Sequence, residues 1–148
     1  MEIAVLALGC FWGPEIKFSK LIGVNNTEVG YCGGNNKNTN YKEVCSGKTS
    51  HAEVVKIEFD SSKISYEKIL NYFFEIHDPT TLNSQGPDIG TQYRSEIFFI
   101  NEGQKITAEK ILKKYNLKYK GKIVTRISEL KNYCKAEDYH QKYLEKNS

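Results

Sequence analysis

Residues 3–8 are six consecutive apolar positions. A run of that kind predicts a strand buried on both faces, since a half-buried strand would alternate. A second strand is expected over residues 23–31, entered through Asn25-Asn26. The third, over residues 52–59, has Val55, Ile57 and Phe59 alternating with Lys56 and Glu58. Ser65 is placed to cap a helix whose Tyr66, Ile69, Leu70 and Phe73 share one face. His77-Asp78-Pro79 ends it, because a residue before proline is pushed out of the helical region. A fourth strand follows at 95–100, then a helix over 102–115 with Ile106, Ile111 and Leu112 inward, a last strand at 122–127 and a helical segment from about 137 to 146. Shorter helical pieces are expected over 14–21 and over 41–46, the latter ended by Gly47. Residues 32–40, rich in Gly and Asn, read as a loop; residues 80–94 form a polar loop long enough to suggest function.

The first four strands and two main helices run β-α-β-β-α-β. That is the split β-α-β arrangement. The predicted class is therefore α+β, with a ferredoxin-like core in which helices pack on an antiparallel or mixed sheet, and a C-terminal helical or irregular extension. At 148 residues, 39% hydrophobic and 26% charged, one catalytic domain over 1–148 is expected, with neither disorder nor membrane insertion. The net charge of +3 is uneven. Residues 1–101 hold nine basic against twelve acidic side chains, and residues 102–148 hold twelve against six. That basic third lacks the dense stripe and the motif that nucleic-acid binding requires, and it reads as solvated surface. The four cysteines (Cys10, Cys32, Cys45, Cys134) show neither a C-x-x-C pair nor metal spacing. No metal is expected, and free thiols without a targeting segment suggest the cytoplasm.

The chemistry centres on Gly9-Cys10-Phe11-Trp12-Gly13-Pro14-Glu15, at the end of the first strand. Cys10 is expected at a strand-to-helix turn, where helix N–H groups and the dipole favour thiolate. A packed structural cysteine fits this stretch equally well. Strand alternation puts Glu53 on the apolar face with Val55, Ile57 and Phe59. Burial there would raise its pKa and keep it protonated near neutrality, as a general acid requires. His51, His77 and His140 are candidate bases for a cysteine nucleophile, and spacing selects none of them.

Seven blocks taken together resemble one family. They are Gly9-Cys10-Phe11-Trp12-Gly13; Gly30-Tyr31 with Gly33-Gly34; Tyr41 with Val44-Cys45-Ser46-Gly47; His51-Ala52-Glu53; His77-Asp78-Pro79; Gly90-Thr91-Gln92-Tyr93-Arg94-Ser95; and Ala136-Glu137-Asp138-Tyr139-His140-Gln141. In this order, along nearly the whole chain, they resemble the A-type peptide-methionine (S)-S-oxide reductases. The resemblance implies thiol-dependent reduction of methionine-S-sulfoxide, free or in proteins, with no bound cofactor. Cys10 would attack the sulfoxide sulfur and become a sulfenic acid. Glu53 would protonate the sulfoxide oxygen, Tyr41 and Tyr93 would hydrogen-bond it, Asp88 would help position the substrate, and Phe11 and Trp12 would enclose its methyl group. Three departures stand out. Cys134 is the last cysteine, where relatives often carry recycling cysteines on a C-terminal tail. Cys32 replaces the usual Thr or Ser, and Ile89 replaces the frequent His or Val. Recycling then needs an external thiol (thioredoxin, glutaredoxin or glutathione) or an internal resolving cysteine, Cys134 before Cys32 or Cys45. Some relatives without the tail use selenocysteine at the catalytic position. Two other readings stay open from the residues alone: a cysteine hydrolase pairing Cys10 with His51 or His140, and a module that binds a methyl-bearing group between Phe11 and Trp12.

Overall fold

The computed structural model describes residues 1–35, 39–47 and 49–147. Its centre is a sheet of six strands, and the expected class, α+β with helices packed on a central sheet, is what it shows. In chain order the strands are β1 (Glu2–Leu8), β2 (Val24–Cys32), β3 (Ala52–Phe59), a hairpin pair β4 (Ser84–Gln85) and β5 (Asp88–Ile89), β6 (Ser95–Phe99), β7 (Arg126–Glu129) and β8 (Cys134–Lys135). The helices are α1 (Trp12–Ser19), α2 (Tyr41–Cys45), α3 (Tyr66–Glu75), α4 (Glu102–Lys118) and α5 (Tyr143–Lys146). The main sheet runs β7-β6-β1-β3-β2-β8. β3 pairs antiparallel with both β1 and β2, so the two strands joined through α1 are split apart by β3. β1 in turn pairs antiparallel with β6, separating the strands that flank α3.

β1 is interior, and residues 4–8 are buried. Its period-2 geometry divides the apolar run between two clusters. Ala4, Leu6 and Leu8 join Val55, Ile57 and Phe59 beneath Phe18 of α1, Ile69, Leu70 and Phe73 of α3, and Ala108 and Ile111 of α4. Val5 and Ala7 face the other way, with Cys32, Ala52, Val54 and Phe98, and are covered by Leu130 and Tyr133. The α3 cap is as expected: the Ser65 side chain accepts the Lys68 N–H.

Four expectations need correction. Ile106 points outward, 60% exposed; Gln104, Ala108, Ile111 and Tyr115 form the buried stripe of α4. Gln104 belongs there because its side chain donates to the Ile3 carbonyl and accepts from the Ile100 N–H, bonds no apolar residue could make. The last long strand starts later than expected, at Arg126, because residues 122–125 are held by loop contacts such as the Val124 N–H to the Pro79 carbonyl. β7 then pairs parallel to β6. The C-terminal segment is not one helix: a 3-10 turn at Asp138–His140 and the short α5 are separated by Lys142 at φ +52°. The β4–β5 pair inside the expected loop 80–94, and the pairing of β8, on residues given no element, with β2, were not foreseen, since two-residue strands carry no periodicity. The expected loop 32–40 lies partly outside the described residues. Among the described residues, no helix is long and apolar enough to cross a membrane.

Gly34 shows how tightly the strand ends are joined. A Cβ there would collide with the Thr49 carbonyl and lie 2.6 Å from the His51 nitrogen. Its own N–H donates to His51 Nδ1 at 3.1 Å. Gly34→Ala is expected to lower stability by about 1–3 kcal/mol, read as a shifted urea midpoint with an unchanged slope.

Candidate active site

Cys10 lies just past the end of β1, half-buried, before α1 begins at Trp12. Gly9 makes the turn with φ +99°, and a Cβ at that position would meet the Gln85 side chain at 2.8 Å. The β4–β5 hairpin is thereby laid directly against the cysteine turn. It brings Asp88 close enough for its charge to act on both Cys10 and Glu53.

The sequence expectation of a thiolate-favouring turn is overturned. Burial pushes the Cys10 thiol up to about 11, and the Trp12 N–H, which pulls the other way, does not offset it. A helix of 8 residues supplies a small local field, and here loss of water contact is the larger effect. Cys10 rests as a neutral thiol.

Glu53 is one strand away. β3 places it opposite Tyr31 of β2, 1% exposed, on the helix-covered face as alternation predicts. Its Oε1 accepts the Phe11 N–H at 3.3 Å. Its Oε2 is buried without a hydrogen-bond partner among the described residues. Burial raises the carboxyl pKa to about 8, the Phe11 N–H opposes this and the Asp88 charge adds to it. The site therefore holds a carboxylic acid at neutral pH, with one oxygen free to act.

Tyr41 opens α2, and Tyr93 closes the 3-10 turn after the hairpin. The two hydroxyls interact with each other, and that of Tyr41 also bonds the Cys45 thiol one helical turn on. Burial raises both phenols, Tyr93 to about 12, and the Glu53 charge adds to each. They are neutral donors at any ordinary pH. Cys10, Glu53, Tyr41, Tyr93 and Asp88, scattered over the sequence, are thus electrostatic neighbours.

Phe11 and Trp12 differ. Phe11 is 1% exposed, its ring packed 5.7 Å from Tyr31 and 5.2 Å from His140. Trp12 is half-buried, stacked on Tyr143 at 3.8 Å, and donates Nε1–H to His140 Nδ1 at 3.0 Å. Of the other cysteines, Cys45 is exposed and belongs to the groups acting on Cys10. Cys32 is fully buried on the opposite face of the sheet from Glu53. Cys134, on β8, has its sulfur 3.6 Å from the Thr39 carbonyl.

Two of the histidines are engaged elsewhere. His51 Nδ1 takes the Gly34 N–H, and His77 bridges the Phe73 carbonyl and Ser95. Burial lowers the His77 pKa to about 4. Sequence reasoning missed Glu137. One of its oxygens accepts the Tyr31 hydroxyl at 2.8 Å and the other the Tyr41 N–H at 3.0 Å, so it ties α2 to β2. The only signal was its membership of the 136–141 block.

A family model described as peptide methionine sulfoxide reductase matches residues 2–148. A protein from Pelagibacter ubique named peptide methionine sulfoxide reductase MsrA is 72% identical over 146 residues, covering 99% of each chain. The chain belongs to the peptide methionine sulfoxide reductase family. A reductase of the same name from Haloquadratum walsbyi is 51% identical over 99% of this chain and 84% of its own. Reduced Mxr1 from Saccharomyces cerevisiae has the same fold, with a TM-score of 0.94 at 41% identity, over 99% of this chain and 85% of that one. Mxr1 solved in complex with Trx2 matches at a TM-score of 0.69 and 26% identity, over 96% and 84% of the two chains. The reductase is thus an oxidoreductase acting on sulfur. Among its described residues no group of three or more His, Cys, Asp or Glu is arranged to hold a metal ion.

Proposed function

We propose that the reductase converts methionine-S-sulfoxide, free or in proteins, to methionine, as a single catalytic domain with Cys10 as nucleophile and Glu53 as general acid. The observation that carries this reading is the unpartnered Oε2 of Glu53, on a carboxyl that burial keeps protonated up to about pH 8. Sulfoxide sulfur is a poor electrophile until its oxygen gains a proton. In the first step the Cys10 sulfur bonds to the substrate sulfur while the sulfoxide oxygen takes the Glu53 proton. The thiol proton passes to the carboxylate left behind. The hydroxyl then transfers from the methionine sulfur to the Cys10 sulfur as the sulfur–sulfur bond breaks with its electron pair going to the methionine sulfur, so that methionine leaves and Cys10 carries the hydroxyl as a sulfenic acid. Cys10 has lost two electrons and the substrate sulfur has gained two. Tyr41 and Tyr93 donate to the same oxygen as charge builds there. Asp88 orients the substrate, and Trp12, with the Phe11 ring at its base, walls the methyl group.

An external thiol returns the enzyme to its starting state. It condenses with the sulfenic acid to a mixed disulfide and water, and a second thiol then releases Cys10. The yeast complex with Trx2 supports a thioredoxin-type donor; glutaredoxin or glutathione fits the same chemistry. Free thiols fit a reducing compartment such as the cytoplasm.

Mixing the reductant-free enzyme with one equivalent of the S-epimer tests both halves. One methionine per chain is expected, none from the R-epimer, with one free thiol lost and a sulfenic acid trapped by dimedone. Loss of two thiols would instead assign an internal disulfide, and Cys134→Ser, Cys45→Ser and Cys32→Ser variants would identify its second member. Absence of methionine would overturn the reading.

A further inference from the structure

The C-terminal segment buries one imidazole against the site. His140 is 1% exposed, although it lies in a chain end that is otherwise largely exposed. Its ring sits against Phe11 at 5.2 Å, Trp12 at 5.6 Å, Tyr41 at 4.6 Å and Tyr139 at 4.1 Å. Its Nδ1 accepts the indole N–H of Trp12 at 3.0 Å, and its Nε2 is buried with no partner. An indole nitrogen only donates. The bond therefore fixes the tautomer, with Nδ1 bare and the proton on Nε2. A protonated ring would turn N–H against N–H and could not hold Trp12.

We propose that His140 is a positioning residue that seats Trp12 for substrate binding, and that its protonation releases the indole and weakens binding. The proposal rests on the reading of Trp12 as the wall of the methyl pocket.

The surroundings make His140 the group that changes charge in mildly acidic solution. From α2 it faces Tyr41, and from its own segment Tyr139 and Glu137. Burial raises both tyrosines, which stay neutral. Burial is the largest single effect on the Glu137 carboxylate and works against it, but the Tyr41 N–H, its own N–H and the Tyr31 hydroxyl together outweigh burial and keep the group charged below the usual range. Burial also lowers the His140 pKa, with the Glu137 charge opposing, so release falls on the acid side of the ordinary imidazole range. Glu53 stays protonated throughout that window.

Trp12 is the chain's one tryptophan, so its emission reports the seat without turnover. The wild type is expected to show a reversible emission step below pH 6.5, with KM rising about 3- to 10-fold across it, the factor for losing one hydrogen bond. His140→Asn keeps an acceptor at the Nδ1 position that cannot take a proton. It should hold the neutral-pH emission and KM and lose the step. His140→Phe keeps a ring without an acceptor and should show the acid-form emission and the raised KM at pH 7.5, with kcat changed less than KM. No step in the wild type, the same step in His140→Asn, or wild-type emission and KM in His140→Phe would each overturn the proposal. If the emission results hold while no methionine is formed, it is the functional reading that fails.

Discussion

Cys10→Ser is expected to lower methionine formation by at least about 10⁴-fold, the scale on which loss of a covalent nucleophile is felt. The hydroxyl of serine sits where the sulfur did, but oxygen cannot form the sulfur–sulfur bond on which the oxygen transfer depends. The fold has little reason to notice the change. Cys10 is half-buried at a turn, and its sulfur's hydrogen bond from the Trp12 N–H is one that a serine oxygen can also accept. The variant should therefore show the wild-type urea midpoint within about 0.5 kcal/mol, as a change away from tight packing does. Chromatographic measurement of methionine from the S-epimer, with dithiothreitol as reductant, checks the first part. Full activity in a correctly folded Cys10→Ser enzyme would remove the assignment altogether.

The second large effect belongs to Glu53. Glu53→Gln keeps the shape and an N–H or carbonyl toward Phe11, but it has no acid proton to give. Loss of a positioned acid costs about 10²–10⁴-fold in the step it serves. That fall should appear in the single-turnover rate. The pH profile separates this role from simple packing. Burial pushes the folded carboxyl up to about 8, and the proposed acid role needs it protonated. Wild-type kcat/KM should fall as pH rises through about 8, and the residual activity of Glu53→Gln should lack that limb. Stability carries the same signature. A carboxyl whose folded pKa is raised from 4.5 to about 8 contributes fully below 4.5, and the contribution is lost as pH rises through 8. Glutamine does not titrate, so the variant should gain on the wild type by roughly 3 kcal/mol between pH 5 and 8.5 in urea titrations. A flat difference across that range would mean that Glu53 is ionised or exposed in the folded protein.

Much of this was legible in the residues because it follows from period and composition. The run at residues 3–8 and the alternation at Ala52–Phe59 located the two central strands, and alternation alone turned Glu53 inward. Ser65 announced its helix through its cap. What was not legible depended on competition between effects or on distant contacts. The turn around Cys10 has the ingredients of a thiolate site, yet burial of the thiol outweighs them. Ile106 looked buried by its chemistry, but Gln104 took the inner face through backbone partners at Ile3 and Ile100. The break at Lys142 has no local sequence cause; its N–H and the Thr27 hydroxyl are both claimed by the buried Glu15, 127 and 12 residues away in sequence.

The antiparallel pairing of β1 with β3 has a further consequence. Leu6 lies opposite Val55, so the end of one strand and the start of the other meet, and Phe11 can donate to Glu53 across 42 residues of sequence. Cys10 and Glu53, the proposed nucleophile and acid, are brought together by the β1–β3 ladder with the Gly9 turn at its end. Such a pair belongs to the last part of the molecule to open. Fraying of the chain end or of the hairpin leaves it standing, whereas a one-residue slip of β3 would present Val54 in place of the acid. Reductase activity is in this sense a readout of strand register.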